Sequence, residues 1–170
     1  MASWREMTVG DIPGLLRVAD EVHPDLPESV EMFTERVKLF PQGCLILADA
    51  DGEVCGYTIS HPITYHRPPA LDSLLGEISP DANQYYIHDL AILPKMRGQK
   101  FAGEGVRRLL KVAEERFPST CLISVYGTSA FWARFGFIIE PIDDDTVLTE
   151  KLRDYGDDAT YMSLSHQQKS

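Results

Sequence analysis

The sequence predicts a single mixed α/β domain, and three observations predict it. Apolar residues change period along the chain, from helical spacing near 12–19 and 29–40 to short continuous runs at 44–48 and 121–126. A hairpin turn, Asp49-Ala50-Asp51-Gly52, joins the run Cys44–Ala48 to the return strand Val54–Ser60. Between Tyr85 and Phe117 a strand, a glycine-containing turn and a long helical pattern follow one another. The chain has 170 residues, 44% apolar and 25% charged, which suits one sizeable core, and no repeat or linker divides it.

Trp4, Met7 and Val9 alternate roughly and predict a first strand within 1–9. Asp11 stands where an N-cap belongs and Pro13 suits a first turn, so Ile12, Leu15, Leu16 and Ala19 open a first helix that Pro24 and Pro27 end. Ser29 caps a second helix over 29–40. Gly56, inside the return strand, marks a bulge or a close backbone approach. Residues 61–83, with four prolines, form a long irregular connection holding a helical turn or two between Leu71 and Ile78. His61, Tyr65 and His66 are candidate pocket residues there. Tyr85–Leu93 is the central strand. Val106, Leu109, Leu110, Ala113 and Phe117 share one face of the helix after it, and Pro118 stops that helix. A strand over Cys121–Tyr126, a short helix before Gly136-Phe137, a helix within 146–155 and a strand over Ala159–Leu164 complete a domain spanning 1–165. Residues 166–170 are expected as a disordered tail.

Charge and composition exclude several functions. A net charge of −10 argues against nucleic-acid binding, and suits either a cationic substrate or simple solubility. No apolar run approaches the ~20 residues a membrane helix needs, and residues 1–7 hold no apolar signal core. Cys44, Cys55 and Cys121 are odd in number, sit in apolar segments and show no metal-ligand spacing. They read as core thiols of a cytoplasmic protein without a metal. Neither Gly-x-x-x-x-Gly-Lys-Ser/Thr nor Gly-x-Gly-x-x-Gly after a strand is present, which argues against a nucleotide-cradling enzyme.

The turn Arg97-Gly98-Gln99-Lys100-Phe101-Ala102 opens a helix, where free N–H groups and the helix dipole favour an anion. It resembles the acetyl-CoA-binding signature of the GNAT N-acetyltransferase superfamily, Gln/Arg-x-x-Gly-x-Gly/Ala, with Lys100 where the middle glycine stands. A register shifted to Lys100, Gly103 and Gly105 restores both glycines but loses the usual first residue. The preceding Leu90-Ala91-Ile92-Leu93-Pro94 and the following Phe131-Trp132-Ala133-Arg134-Phe135-Gly136-Phe137 resemble family segments too, and the element order across the whole chain fits.

The resemblance implies a twisted, mostly antiparallel sheet flanked by helices, with a parallel strand pair that splays apart. It implies pantetheine in that opening against the backbone of Leu90, Ala91 and Ile92. The pyrophosphate would take N–H groups along Arg97, Gly98, Gln99, Lys100, Phe101, Ala102 and Gly103, with Trp132 beside pantetheine or in the core. It implies acetyl-CoA as co-substrate and a primary amine as acceptor, a small molecule in preference to a protein, whose N-terminus or lysine stays open. A homodimer is a weaker implication. The alternative is a GNAT-fold protein that binds an acyl-CoA without turnover.

Acyl transfer to an amine needs a neutral nucleophile, a polarised carbonyl and a proton or stabilisation for the leaving thiolate. His88 is the candidate base, on a strand parity shared with Tyr86, Leu90 and Ile92; Asp89 alternates to the opposite face and reads as structural. The family's frequent tyrosine acid is replaced here by Trp132, whose indole N–H cannot protonate sulfur. Tyr126, at the end of the neighbouring strand, is the candidate acid. No cysteine is placed as an acyl carrier, so direct transfer in a ternary complex is expected.

Overall fold

A computed structural model describes residues 1–166. Seven strands form one sheet: β1 Ser3–Glu6, β2 Leu45–Ala48, β3 Val54–Ile63, β4 Gln84–Ile92, β5 Ser119–Ser124, β6 Ile138–Ile139 and β7 Thr160–Ser165. Their spatial order is β1-β2-β3-β4-β5-β7-β6, and every neighbouring pair is antiparallel except β4 and β5. Among the described residues five α-helices flank the sheet: α1 Ile12–Val22, α2 Val30–Leu39, α3 Phe101–Arg116, α4 Ser129–Ala133 and α5 Thr146–Arg153. The expected mixed α/β architecture, with a mostly antiparallel sheet and one parallel pair, is the one observed.

The two faces bury different residues. On one, Val106, Leu109 and Ala113 of α3 and Trp132 of α4 pack on Leu45, Leu47, Tyr85, Ile87 and Ile92. On the other, Leu15 and Val18 of α1 and Met32 and Phe33 of α2 pack on Ile46, Tyr57, Ile59 and Ala91. Leu148 of α5 and Tyr155 cover the rest of that second face over Tyr86, Cys121 and Tyr161. All three cysteines are buried and unpaired, and no helix among the described residues is long and apolar enough to cross a membrane.

Two irregularities open the sheet. β4 and β5 pair only at Tyr85, Tyr86 and Ile87, opposite Thr120, Cys121 and Leu122. Beyond Ile87, β4 runs on to Ile92 with no partner on that edge. The second irregularity lies against β3, where Ile59 pairs with Asp89 but Ser60 pairs with Ile87. His88 is therefore the extra residue of a β-bulge. The bulge reverses side-chain parity, so Ile87 and Leu90 face the α3 side together, while Tyr86 and Ala91 face the other. The alternation expected from the sequence, with Tyr86, His88, Leu90 and Ile92 on one face, fails at this residue.

Gly56 serves both expected purposes. A Cβ there would stand 2.8 Å from the Ala91 carbonyl, and the β2–β3 register shifts beside it, between Leu47 and Ala48. Asp11 precedes α1 but does not cap it. Its carboxylate accepts from the Thr8 N–H at 2.8 Å and pairs with Arg5 through two 2.8 Å bonds. Ser29 does cap α2, accepting from the Met32 N–H at 3.2 Å. The connection after β3 carries no helix between Leu71 and Ile78, and β3 continues through Pro62 to Ile63. β2 pairs only as far as Thr58, so β3 at Pro62 is flanked by β4 alone, where proline is tolerated. His166, expected in the tail, is held by its N–H on the Pro118 carbonyl at 2.9 Å and its ring on Thr120 Oγ1 at 2.6 Å. The remaining tail, 167–170, lies outside the described residues.

Candidate active site

The gap between the diverging ends of β4 and β5 is a cleft of about 980 Å³. It cuts through the sheet, and its lining comes from both faces: Leu90, Phe101 and Trp132 on the α3 side, and Val22, His23 and Asp89 on the α1 side. Of the residues expected to hold a coenzyme, Leu90, Ile92, Arg97, Gly98, Lys100, Phe101, Ala102, Gly103 and Trp132 line it. Ala91 and Gln99 do not. The Ala91 side chain points into the core under α1, and the Gln99 amide donates to the Lys95 carbonyl at 3.3 Å.

On the α3 side the chain offers backbone. Gly98 has φ +80° and Lys100 φ +70° with ψ 2°, so the turn is left-handed at both positions. Two such residues rotate successive N–H groups toward one point. The N–H groups of Gly98 through Gly103 donate to no acceptor among the described residues; the first that does is Glu104, to the Lys100 carbonyl at 3.1 Å. These are unsatisfied donors at a helix N-terminus, an arrangement suited to an anion. Arg97, Lys100, Arg107 and Arg134 bring four positive charges to the same cleft, on a chain whose net charge is −10. Trp4 fixes the cradle from β1, its indole N–H donating to the Phe101 carbonyl at 2.8 Å. Lys100 holds its left-handed conformation at a cost of about 1 kcal/mol that glycine would not incur.

Trp132 stacks edge-on against Phe131 and Phe137, with centroids 5.0 and 5.7 Å away, and is both a cleft wall and a core residue. The thiols stand apart: none of the three cysteines lines the cleft, and burial pushes Cys44 and Cys121 up to about 12.

On the α1 side the chain offers side chains. His88 is buried, with Nε2 on Glu28 Oε1 at 2.7 Å and Nδ1 beside the Tyr86 hydroxyl at 3.2 Å. Glu28 fixes the tautomer: Nε2–H donates to the carboxylate, and the Tyr86 O–H donates to Nδ1. Both ring nitrogens are thus engaged, which the reading of His88 as a direct base did not foresee. Asp89, read as structural, lines the cleft and accepts two bonds, from His23 Nε2 at 2.8 Å and from the Tyr57 hydroxyl at 2.5 Å. Burial works to raise the Asp89 pKa, but the His23 charge and the bonds from His23 and Tyr57 outweigh it, and the net shift is downward. For His23 burial works downward, while the charge and hydrogen bond of Asp89 carry it above the ordinary imidazole value.

Tyr126 lies past the end of β5, which stops at Ser124, in a left-handed turn with φ +55°. Its ring stacks on His23 at 5.5 Å and 12°. It is 43% exposed. Burial, followed by the charges of Asp25 and Asp89, raises its pKa. The other histidine candidates stand away from the cleft. His61 is a core residue pushed down to about 3 by burial, and His66 pairs with Glu140 at 2.7 Å beside a shallow surface depression.

His23, Glu28 and Tyr57 are the residues that sequence reasoning missed. The single local signal is the position of His23 at the C-terminal end of α1, where a helix dipole favours a cation.

The comparisons agree with this geometry. The chain matches the Acetyltransferase (GNAT) family over residues 12–137. No curated protein matches it by sequence. Among solved structures it is similar to the loading GNATL domain of CurA from Lyngbya majuscula, with TM-score 0.76, 13% identity, and coverage of 99% of this chain and 100% of that one. It is similar to the ribosomal-protein-S18-alanine N-acetyltransferase from Escherichia coli, with TM-score 0.66, 15% identity and coverage of 100% and 97%. It is also similar to N-acetylglutamate synthase from Neisseria gonorrhoeae, solved with coenzyme A and N-acetyl-glutamate, with TM-score 0.70, 18% identity, and coverage of 99% of this chain and 36% of that one. These identities carry the fold alone. With the matched residues spanning well over half its length, the chain belongs to the GNAT acetyltransferase family.

Proposed function

We propose that the protein transfers an acetyl group from acetyl-CoA directly to a primary amine, a small molecule in preference to a protein. The observation that carries this reading is the series of unsatisfied N–H donors at Gly98–Gly103, which leads along one continuous cleft to the unpaired edge of β4. Pyrophosphate at the α3 N-terminus and pantetheine along β4 place the thioester near His88 to Leu90, where the strand edge is free. The free backbone there polarises the carbonyl.

The amine then attacks from the opposite face, which the cleft also reaches. His88, tied to Glu28 and Tyr86 through both ring nitrogens, orients the acceptor end. Tyr126 supplies a proton to the leaving thiolate and regains one from the second N–H of the attacking amine. Burial of all three thiols leaves direct transfer as the route.

The test is thermal unfolding with acetyl-CoA, CoA, ATP or buffer alone, followed by a screen of primary amines for thiol release. Ligand at about 100 times its Kd stabilises by about 2.7 kcal/mol, a rise of roughly 5–10 °C for a chain of this size. Stabilisation by acetyl-CoA and CoA but not ATP, with thiol release on adding amine, is the expected result. Stabilisation without release from any amine would leave an acyl-CoA-binding protein, and no stabilisation at millimolar acetyl-CoA would contradict the reading altogether.

A further inference from the structure

Asp89 and His23 form a dyad that the role of His88 does not use. It resembles no local motif, because its members lie 66 residues apart in sequence. The His23 ring lines the cleft on the face opposite α3. Asp89 accepts from Nε2 at 2.8 Å and is held in turn by the Tyr57 hydroxyl. An Nε2–H fixed on a carboxylate leaves Nδ1 as the lone-pair nitrogen, and Nδ1 is buried with no partner among the described residues. His88 differs in this respect, since both its nitrogens are occupied.

We infer that His23 is the proton acceptor for the incoming ammonium, with Asp89 and Tyr57 as its positioning residues. The inference rests on the acetyltransferase reading above. The groups facing His23 support it. Asp89 on β4 and Glu28 before α2 favour the imidazolium that forms, Arg97 opposes it, and the Tyr126 ring covers it from the end of β5. Asp25 and Asp158 act on Tyr126 from beside the cleft.

The step balances. The acceptor enters as R–NH₃⁺ and gives one proton to His23 Nδ1, which is buried beside the stacked Tyr126 ring and is reached as that exposed ring moves aside. The amine lone pair forms the C–N bond, the C–S bond breaks, and its electron pair leaves on sulfur. Sulfur takes the Tyr126 proton, the second N–H proton restores Tyr126, and His23 releases its proton to solvent.

Two measurements test this role. Long-range ¹H–¹⁵N NMR of the full chain reads the His23 ring without turnover. The expected result is the Nε2–H tautomer with a pKa above the ordinary imidazole value, falling in Asp89→Asn; an Nδ1–H tautomer would overturn the role. Kinetics with the fastest amine of the screen read the chemistry. His23→Gln keeps a hydrogen bond to Asp89 but cannot accept a proton. It should lower kcat about 10²–10³-fold, abolish the acidic limb of the pH profile, and leave the acetyl-CoA KM within about twofold. Asp89→Asn should move that limb to lower pH with a smaller loss. A His23→Gln enzyme within threefold of the parent kcat, or with the limb unmoved, would assign the proton to another group. Absence of thiol release from the parent with every amine would overturn the transferase reading, and this role with it, whatever the tautomer.

Discussion

The two sides of the cleft are built from different material. The α3 side is backbone: consecutive N–H groups of Gly98–Gly103, turned by two left-handed residues and anchored by one indole. The α1 side is side chains gathered from distant positions, with His23, Glu28, Tyr57, His88, Asp89 and Tyr126 joined in two short relays and a ring stack. In the proposed reading the backbone donors hold the pyrophosphate of the coenzyme, and the titratable side chains manage the protons of the acceptor. The bulge at His88 joins the two sides, because it lets one strand present Leu90 to α3 and Asp89 to α1 within two residues.

Substitutions should separate the sides. Trp4→Ala removes a buried indole and the donor that holds the Phe101 carbonyl. It should cost about 3–5 kcal/mol in denaturant unfolding, and acetyl-CoA KM should rise more than kcat falls. Glu28→Gln strikes the other side. It removes the charge that accepts from His88 Nε2 at 2.7 Å and from the Asp72 N–H at 3.0 Å. The expected loss is about 1–3 kcal/mol of stability and roughly tenfold in kcat, with CoA affinity unchanged by calorimetry. A matching loss of CoA affinity would mean the two sides are not separable.

The pH dependence of stability should belong to the α1 side, and its sign follows from the two shifts. Asp89 is depressed, so its contribution is present above its ordinary value of 3.8 and is lost as pH falls through the lower folded value. His23 is raised, so its contribution is complete below its ordinary 6.5 and is lost as pH rises through the higher folded value. Unfolding free energy followed from pH 3 to 9 should therefore show a plateau between about 4 and 6.5 from this pair, and His23→Gln should flatten its alkaline shoulder. An unchanged profile in that variant would place the titration elsewhere.

The smallest effect is at Lys100. Lys100→Gly relieves about 1 kcal/mol of left-handed strain and adds about 0.5 kcal/mol of unfolded-state entropy, so stability should rise by about 0.5 kcal/mol. CoA should bind more weakly through the lost charge, and more so at low salt.

The same contrast explains how much was legible in the sequence. The cradle is contiguous, so Arg97 to Gly103 could be read as one turn opening one helix, and Lys100, standing at the glycine position, takes the left-handed φ of +70° that glycine adopts freely. The order of helices and strands along the chain was legible, while the parallel pair came only from the resemblance. The α1 side was not legible because its hydrogen bonds span up to 66 residues and because one extra residue in a strand leaves no compositional mark. His88 and Asp89 were assigned to faces by unbroken alternation, and the bulge between them and Ile87 undoes that assignment. The end of β3 was placed too early for a related reason: Pro62 reads as a breaker until its open edge is known.

The most direct test of the central claim, that the Gly98–Gly103 backbone cradles the coenzyme while the α1 side stays free for the acceptor, is a titration of ¹⁵N-labelled protein with CoA. The account predicts saturable amide shifts concentrated at Gly98–Gly103 and along Leu90–Ile92, with the His23 ring resonances nearly unmoved. Shifts centred on the α1 side, or no saturable change at Gly98–Gly103, would contradict it.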